Sequence, residues 1–409
     1  MNNTPDKFLR QVSELIMPTV GNDRQLFLPG GSTELQKLYS KAADEKRPLR
    51  VKLGIDPTST DLHLGHTVCL HLLRRFQQHG HKPVLIIGGF TAMVGDPSGR
   101  NEARPPLTYE QVQENAKTYL EQVGKILDLR NVEVINNYDW LSKISSVEFI
   151  KLAHLVTVNQ LIGKEAFGTR IENSEPLYLH EVLYPILQGY DSYVVKADIE
   201  IGGIDQTFNV LFGRHVQKHF NQKEQLVILL PLLIGLDGKK KMSKSFNNYI
   251  ALKDSSDEVF GKAMSIPDEL ILSYFNVTST TVEELNNFKK DLESGKNPRD
   301  IKMELAYSLV KLLYNVNNAE NAKDNFIKQF QKNEIPENLD EYKLNESLKI
   351  TDLMFQAKLT PSKSDAKRLI EGGGVKLKSE KIDDPNFVVT ADYKNSVLQI
   401  GKRKFVKIV

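Results

Sequence analysis

The sequence predicts an α/β fold in which a parallel sheet is interrupted by helices and followed by a helical region and a small α+β module. Three observations lead to this prediction. A strand, a helix and a strand follow one another between residues 50 and 87, strand-like segments return near 193–201 and 226–233, and the chain after residue 244 has helical patterning. Strands that alternate with helices are typical of parallel sheets with right-handed crossovers.

The first elements are marked by periodicity and turn residues. Apolar residues at helical spacing predict an amphipathic helix over 6–20. A strand over 50–55 ends at the turn signal Asp56-Pro57-Thr58, and a leucine-rich helix over 64–78 follows. The short bulky run over 82–87 is typical of a buried parallel strand.

The middle of the chain predicts a helical insertion into this sheet. Residues 109–187 are mostly helical in pattern, with a short strand candidate at 132–135. Strands are then predicted near 193–201 and over 226–233, with a helix over 206–219 between them.

The remainder reads as helices and a terminal module. Helices are predicted over 257–264, 268–275, 282–292 and 298–313, and 331–349 has the composition of a linker. We therefore expect three domains: 1–245 with an insertion at about 109–187, a helical domain over 246–335, and a small α+β domain over 350–409.

Composition indicates a globular protein that does not enter a membrane. The 409 residues are 40% hydrophobic and 26% charged. The longest apolar run, 226–236, is broken by Pro231 and is shorter than the ~18 residues that a spanning helix needs. A single cysteine, Cys69, can form neither an internal disulfide nor a zinc cage. The polar N-terminus lacks a signal-peptide pattern, so we expect a cytoplasmic protein.

Charge is concentrated at the C-terminus. The whole chain carries +2, whereas residues 341–409 hold 14 Lys/Arg and 9 Asp/Glu, a net +5. A compact basic module is a common electrostatic feature of nucleic-acid binding. A solvated charged surface without a ligand is the alternative.

The first chemical motif lies where the strand over 50–55 turns into a helix. It contains His63-Leu64-Gly65-His66 after the turn at 56–58. Nucleotides bind at the carboxyl edge of parallel sheets because helix N-termini favour phosphate, and two imidazoles there can donate to phosphate oxygens. A metal site is disfavoured by the lack of a nearby carboxylate ligand pattern, and two helix-capping histidines are the simpler alternative.

The second motif follows the strand predicted over 226–233. The segment 237–245, Asp-Gly-Lys-Lys-Lys-Met-Ser-Lys-Ser, is a loop with four lysines that can close over a polyphosphate. A solvated basic loop or a nuclear-localisation signal has the same composition.

Together, His-Leu-Gly-His near residue 65 and Lys-Met-Ser-Lys-Ser near residue 243 resemble the paired signature of class I aminoacyl-tRNA synthetases, whose catalytic domain is a Rossmann-like doubly wound sheet. Three further segments, at 95–100, 184–191 and 202–206, are similar to those of tyrosyl-tRNA synthetases. The resemblance covers nearly the whole chain, and the Lys-Met-Ser-Lys-Ser form suggests one of the two bacterial branches.

The resemblance implies roles for individual residues. Those implied to hold tyrosine are Asp96, Tyr184, Gln188, Asp191 and Gln206, with Asp191 on the phenol. Those implied to hold ATP are Gly54, Asp56, His63, His66, Gly203, Asp205 and Lys244. Those implied in catalysis are His63, His66, Lys241, Lys244, Thr58, Arg100 and Arg104. No residue is expected to bind a resident metal.

The positions 184, 188 and 191 are also i, i+4 and i+7, so a helix would place them on one face. Each polar residue could instead bond to backbone at a sheet edge, Tyr184 could be core, and Arg100 with Arg104 could be a solvated pair. One departure from the family stands at Lys52, where the best-known branch has a tyrosine that touches the phenol, so a second phenol contact remains unidentified.

The resemblance implies ligation of L-tyrosine to tRNA(Tyr) through tyrosyl-adenylate, with ATP as substrate and Mg²⁺ carried on its phosphates. It also implies a homodimer built on the insertion, for which the apolar candidates are Phe149, Leu152, Leu155, Val156 and Leu161; as an alternative these are ordinary core. Two rival functions are a tryptophan-specific enzyme of the same class and a non-catalytic RNA-binding protein on a synthetase scaffold. Gln188 and Asp191 disfavour an indole pocket.

The segment 359–383 resembles a small RNA-binding module shared with a small-subunit ribosomal protein. A capped helix over 360–370 precedes three glycines, and the strand 375–378 alternates lysines on one face. The residues predicted to contact RNA are Lys363, Lys367, Arg368, Lys376 and Lys378.

Overall fold

The chain divides into two compact units, residues 1–319 and 320–409. The computed structural model describes residues 27–98, 107–163, 165–275, 277–278, 282–331, 339–344, 346–378, 380–401 and 404–409. Within these ranges, no helix is both long enough and apolar enough to span a bilayer.

The described residues of the first unit contain a six-stranded sheet. Its strands are β1 Phe27–Leu28, β2 Arg50–Ile55, β3 Lys82–Ile87, β4 Glu133–Asn136, β5 Ile199–Gly203 and β6 Leu226–Leu230. They lie in the order β1-β6-β5-β2-β3-β4, with β1 antiparallel to β6 and the others parallel. The chain runs outward from β2 to β4 and then returns to β5 beside β2, so the predicted Rossmann-like doubly wound fold is confirmed. This reversal opens a crevice at the carboxyl ends of β2 and β5.

Helices cover the sheet and continue beyond it. Up to the last strand of the sheet they are α1 Ser32–Asp44, α2 Leu64–Gln78, α3 Thr91–Val94, α4 Tyr109–Val123, α5 Tyr138–Leu141, α6 Ser146–Ala153, α7 Val158–Ile162, α8 Glu165–Glu172, α9 Leu179–Val194 and α10 Thr207–His219. After the sheet they are α11 Ser256–Met264, α12 Ile271–Phe275, α13 Val282–Glu293, α14 Pro298–Leu313 and α15 Val316–Gln331.

Close packing fixes α9 against α10. A Cβ on Gly189 of α9 would lie 2.8 Å from the ring of Phe212 on α10, so only glycine permits this approach. Ile186 and Leu187 of α9 are buried in the same apolar cluster as Phe212. Because α9 carries three of the predicted substrate residues, this packing positions them.

Two strand boundaries differ from the prediction. The strand expected from residue 193 begins only at 199, because α9 continues to Val194 and its packing overrides the strand preference of valine. The strand expected to reach 233 ends at Leu230, since Pro231 has no N–H for the ladder.

The strand candidate at 132–135 appears as β4, so the region 109–187 contains an edge strand of the sheet as well as helices. The helix predicted over 6–20 lies outside the described residues.

The described part of the second unit is a small α+β module. It contains α16 Ile350–Gln356, α17 Lys363–Glu371, β7 Asp340–Tyr342, β8 Leu348–Lys349, β9 Val375–Leu377, β10 Glu380–Lys381, β11 Val388–Val389, β12 Val397–Ile400 and β13 Lys404–Ile408. The strand orders are β10-β9-β12-β13-β7 and β11-β8. The linker predicted over 331–349 is wrong in its described part, because β7 and β8 pair within these sheets and Leu344 is buried in the module's core.

Candidate active site

A cleft of about 590 Å³ lies at the crevice between β2 and β5. This volume is within the range of small-molecule sites. The predicted residues that line it are Gly54, Asp56, Thr58, His63, His66, Asp96, Tyr184, Gln188, Asp191, Gly203, Asp205, Gln206, Lys241 and Lys244. Arg100 and Arg104 lie outside the described residues. The fold therefore gathers residues that are almost 200 positions apart into one cavity.

Two histidines mark the start of α2. His63 is the N-cap residue, and its Nδ1 accepts a hydrogen bond of 3.2 Å from the Gly65 amide. Burial, then the nearby His66 and the lysines 244 and 241, lower the pKa of His63 far below its usual value. His63 is therefore neutral at pH 7, and because Nδ1 accepts, its proton resides on Nε2. The capping alternative is thus correct for His63, yet the same ring lines the cleft as a neutral donor.

The His63 and His66 rings lie 4.0 Å apart between centroids. The Nδ1 atom of His66 lies 3.2 Å from the backbone N–H of His63, which completes a reciprocal cap. A Cβ on Gly65 would come within 2.9 Å of the His63 imidazole. Glycine at position 65 therefore leaves room for the His63 ring. Gly54 near the end of β2 differs, because a Cβ at this position would meet no atom within 4 Å, so it borders open space in the cleft.

The lysine-rich loop contacts the cleft through two of its four lysines. Lys241 forms an ion pair of 2.8 Å with Asp205, and Lys244 donates to the Ser59 hydroxyl at 2.6 Å. Asp237 holds the loop's turn by accepting the amides of residues 239 and 240, which lowers the pKa of its carboxyl group. Burial lowers the pKa of Lys244. A third lysine of the loop, Lys240, places its ammonium group 4.6 Å from the centre of the Phe246 ring.

Helix α9 presents Tyr184, Gln188 and Asp191 to the same cleft, so the prediction of a shared face is confirmed. The Tyr184 hydroxyl donates to Asp56 Oδ2 at 2.9 Å, and Thr91 donates to the other oxygen of that carboxylate at 2.7 Å. The two hydrogen bonds fix Asp56 at the carboxyl end of β2.

Asp191 is held by two residues that sequence reasoning missed. Its Oδ1 accepts from Trp140 Nε1 at 2.8 Å, and its Oδ2 accepts from Asn137 Nδ2 at 3.1 Å. Asp191 is 3% exposed, and burial raises the pKa of its carboxyl group to about 7, although Lys52 and the two donors act to lower it. Asn137 directly follows β4, and polar residues at the end of a parallel strand were the available signal.

A second cluster of hydrogen-bonded polar residues in the cleft surrounds Asp96. Gln206 donates to Asp96 Oδ2 at 2.6 Å, and Asn209 donates to Gln206 Oε1 at 2.8 Å. The Ser98 amide donates to Asp96 Oδ1 at 2.9 Å. Asn209 is a further residue that the sequence did not single out; it follows Gln206 by one helical turn.

The cysteine that lines the cleft is not an activated nucleophile. Burial and the nearby Asp205 raise the pKa of Cys69 to about 12, so its thiol stays protonated. Over the described ranges, no group of three or more His, Cys, Asp and Glu is arranged to hold a metal ion.

The apolar candidates of the insertion divide into two sets. Leu152 and Leu161 are 1% and 5% exposed, so they belong to the chain's own core. Phe149, Leu155 and Val156 are partly buried against the cluster under α9. The exposed apolar side chains of this region lie close to the predicted ones in sequence: Val147, Ile150 and Val158 are 67–68% exposed.

The predicted RNA-contacting residues of the second unit are mostly paired with carboxylates. On α17, Lys363 lies 2.6 Å from Asp352, and Lys367 and Arg368 lie 3.8 and 3.5 Å from Glu371 and Asp365. All three remain at least 61% exposed. On the strand side, Lys376 is exposed in β9, and Lys378 donates to the Asp392 carbonyl at 3.1 Å.

Comparison with known proteins places the chain in a class. The family described as "tRNA synthetases class I (W and Y)" matches residues 44–331. Solved structures agree on the fold: a tyrosyl-tRNA synthetase from Archaeoglobus fulgidus, complexed with L-tyrosine, has a TM-score of 0.61 at 21% identity and covers 78% of this chain and 99% of its own. A tryptophanyl-tRNA synthetase from Plasmodium falciparum has a TM-score of 0.56 at 14% identity, over 78% and 89%. Fold and site together define a class I synthetase.

Curated relatives narrow the class. A tyrosine–tRNA ligase from Francisella tularensis is 46% identical over 370 residues, which are 90% of this chain and 93% of the relative. "Tyrosine--tRNA ligase 2" from Vibrio cholerae is 47% identical over 365 residues, or 89% and 92% of the two chains. Residues 329–408 match the family "Tyrosine--tRNA ligase SYY-like C-terminal domain". The chain belongs to the tyrosine–tRNA ligase family.

Proposed function

We propose that this protein attaches L-tyrosine to tRNA(Tyr) in two steps within the cleft between β2 and β5. The tyrosine carboxylate attacks the α-phosphorus of ATP and forms tyrosyl-adenylate. The bond between the α-phosphorus and the oxygen that bridges to the β-phosphate breaks, and pyrophosphate leaves. A ribose hydroxyl of the terminal adenosine of tRNA then attacks the tyrosyl carbonyl and releases AMP. The observation that carries the proposal is that one cleft contains both a buried, donor-held carboxylate, Asp191, and the histidine and lysine groups that suit phosphate.

Tyrosine recognition is proposed to depend on α9 and its neighbours. Asp191 accepts the phenol hydroxyl, because Trp140 and Asn137 occupy only one lone pair on each of its oxygens. Phenylalanine would leave this carboxylate without its partner in a buried site, which is the basis of the discrimination of about 10⁵ known for this enzyme class. Tyr184, Gln188 and Asp96 hold the ammonium group, and Gln206 lies near the carboxylate.

ATP is proposed to lie along the ends of β2 and β5. Gly54 leaves space for the adenylate, Gly203 and Asp205 take the ribose, and Thr58 and Asp56 lie by the phosphates and the ammonium. Lys241 forms an ion pair with Asp205, so a ribose that hydrogen-bonds to this carboxylate would compete with the lysine and leave its ammonium group available to the phosphates.

Catalysis is proposed to come from positioning and charge stabilisation. The neutral His63 donates through Nε2 and His66 assists it, while Lys241 and Lys244 neutralise charge on the departing pyrophosphate. Arg100 and Arg104 are predicted to add charge from outside the described residues. Magnesium would arrive on the phosphates, since it prefers substrate phosphates and few protein ligands.

Two assemblies complete the proposal. The exposed Val147, Ile150 and Val158, next to the cluster of Phe149, Leu155 and Val156, would pack against a second copy in a homodimer. Next to the proposed catalytic domain 1–245, the helical domain proposed over 246–335 would bind the anticodon arm of tRNA. The basic residues of the domain proposed over 350–409 would contact RNA; they are Lys363, Lys367, Arg368, Lys376 and Lys378. We propose the cytoplasm as the site of action, where tRNA and ATP meet.

The test is aminoacylation of total bacterial tRNA with labelled amino acids. Tyrosine should be charged, and tryptophan and phenylalanine should remain at background. Charging of tryptophan instead would contradict the specificity. A folded protein that binds tRNA and charges nothing would support a non-catalytic RNA-binding role.

A further inference from the structure

An ion pair is buried in the wall of the cleft. Lys52 of β2 and Glu200 of β5 stand opposite each other in the parallel register, with 2.9 Å between Nζ and Oε1. Their side chains are 0% and 2% exposed, and both residues line the cleft. Burying two charges is costly, so a pair at this position calls for a reason beyond stability.

The pair is bonded to the helix that carries the substrate residues. Lys52 Nζ donates to the Ser192 hydroxyl at 2.8 Å and to the Gln188 carbonyl at 3.2 Å. Ser192 in turn donates to Glu200 Oε2 at 2.9 Å. These contacts tie the α9 segment between Gln188 and Ser192, which includes Asp191, to two strands of the sheet.

Glu200 also sets the direction of the Gln188 amide. Its Oε1 accepts from Gln188 Nε2 at 3.3 Å. An ionised carboxylate only accepts, so the amide nitrogen must face it and the amide oxygen must face away. That oxygen, Gln188 Oε1, is buried and has no hydrogen-bond partner in the part of the chain described. A buried acceptor that borders the cleft suits an ammonium group.

Lys52 also places positive charge near Asp191, because its ammonium group is bonded to the Gln188 carbonyl and the Ser192 hydroxyl on the same segment of α9. The charged groups that act on Asp191 are Lys52, which lowers its pKa, and more weakly Glu200, which raises it. Trp140 and Asn137 contribute neutral donors. The cation thus opposes the effect of burial and favours the ionised form that best accepts a phenol.

We infer that the Lys52–Glu200 pair is a positioning device for the amino-acid substrate: Glu200 orients the Gln188 amide toward the ammonium group, and Lys52 provides the charge that supports Asp191 at the phenol. The inference rests on the proposed tyrosine function. It assigns a role to Lys52, where the family resemblance left the second phenol contact unidentified.

The test compares single and double variants by pyrophosphate exchange and thermal unfolding. Lys52→Met and Glu200→Gln each leave one buried charge unpaired and should lower Tm. The neutral double variant, Lys52→Met with Glu200→Gln, should recover most of that Tm. It should still show a tyrosine KM raised at least tenfold, with the ATP KM within twofold of the parent.

The pH profile gives a readout that a purely structural role would not move. Removing both charges raises the pKa of Asp191, because Lys52 acts on it more strongly than Glu200 does. The pH at which kcat/KM for tyrosine is half-maximal should therefore move upward in the double variant.

Arg170 and Glu181 supply a matched control. They form an equally buried pair of 2.8 Å, Glu181 lies on α9, and neither lines the cleft. Arg170→Met with Glu181→Gln should leave the tyrosine KM and pH profile unchanged. A folded Lys52–Glu200 double variant with parental tyrosine KM and pH profile would overturn the inference, as would equal rises in the tyrosine and ATP KM. Failure of the folded, unaltered chain to exchange with tyrosine would instead contradict the proposed function.

Discussion

Replacing Asp191 with asparagine isolates the phenol contact. The two oxygens of Asp191 accept from Trp140 and Asn137, so an asparagine must turn its NH₂ group toward one of these donors. An unsatisfied buried donor costs about 1–3 kcal/mol, and a hydrogen bond to a charged group contributes about 1.5–3 kcal/mol. The first cost is present in the free enzyme too and therefore lowers stability, whereas only the second applies to bound tyrosine. We therefore expect a loss of about 1.5–3 kcal/mol, or about 10- to 160-fold, in kcat/KM for tyrosine.

The assay is amino-acid-dependent pyrophosphate exchange with tyrosine and with phenylalanine. Phenylalanine makes no bond to Asp191, so its kcat/KM should change little and discrimination should fall by about the same factor as tyrosine activity. Equal losses for both amino acids would show that Asp191 acts only through structure and would refute the assignment. An unchanged tyrosine value would refute it as well.

Further predictions follow from the same geometry. His66→Ala should lower adenylate formation about 100-fold or more while tyrosine binding, measured by calorimetry, stays within twofold; equal losses would contradict its role at phosphate. Burial raises the pKa of Asp191 to about 7, so the folded state holds a proton that the unfolded chain releases near pH 4. The free energy of unfolding should therefore fall as pH rises from 4 to 7, and this pH-dependent component should vanish in Asp191→Asn. An Asp191→Asn variant with the parental pH dependence of stability would contradict this assignment. Removing residues 332–409 should weaken tRNA charging and spare pyrophosphate exchange, and loss of exchange in folded protein would contradict a separate RNA role. Ile150→Glu should shift the protein toward monomer in analytical ultracentrifugation, since Ile150 is 68% exposed; an unchanged mass would exclude this surface.

The sheet was largely predictable because its strands are short, apolar and followed by clear turns. β2 and β3 occupy the predicted residues, and the two signature motifs lie at the carboxyl edge as expected. The failures have a physical cause. Val194 favours strands in isolation but ends a helix that packs on α10, and the strands β7 and β8 are too short and polar to be distinguished from a linker.

Within the site, the sequence could predict the residues of the motifs but not those that orient them. Trp140, Asn137 and Glu200 contact Asp191 or Gln188 only because distant strands and helices meet at the cleft. From sequence, Lys52 could be identified only as a departure from the tyrosine of the best-known branch, because its partner lies 148 positions away on the neighbouring strand. Partners of this kind depend on strand order, which no local pattern specifies.

Pyrophosphate exchange into ATP without tRNA, run with each of the twenty amino acids, tests the central claim most directly. Because the cleft is proposed to activate tyrosine, exchange should depend on tyrosine and should fall to background with phenylalanine and tryptophan. Exchange driven by another amino acid, or none with tyrosine in folded protein, would contradict the account.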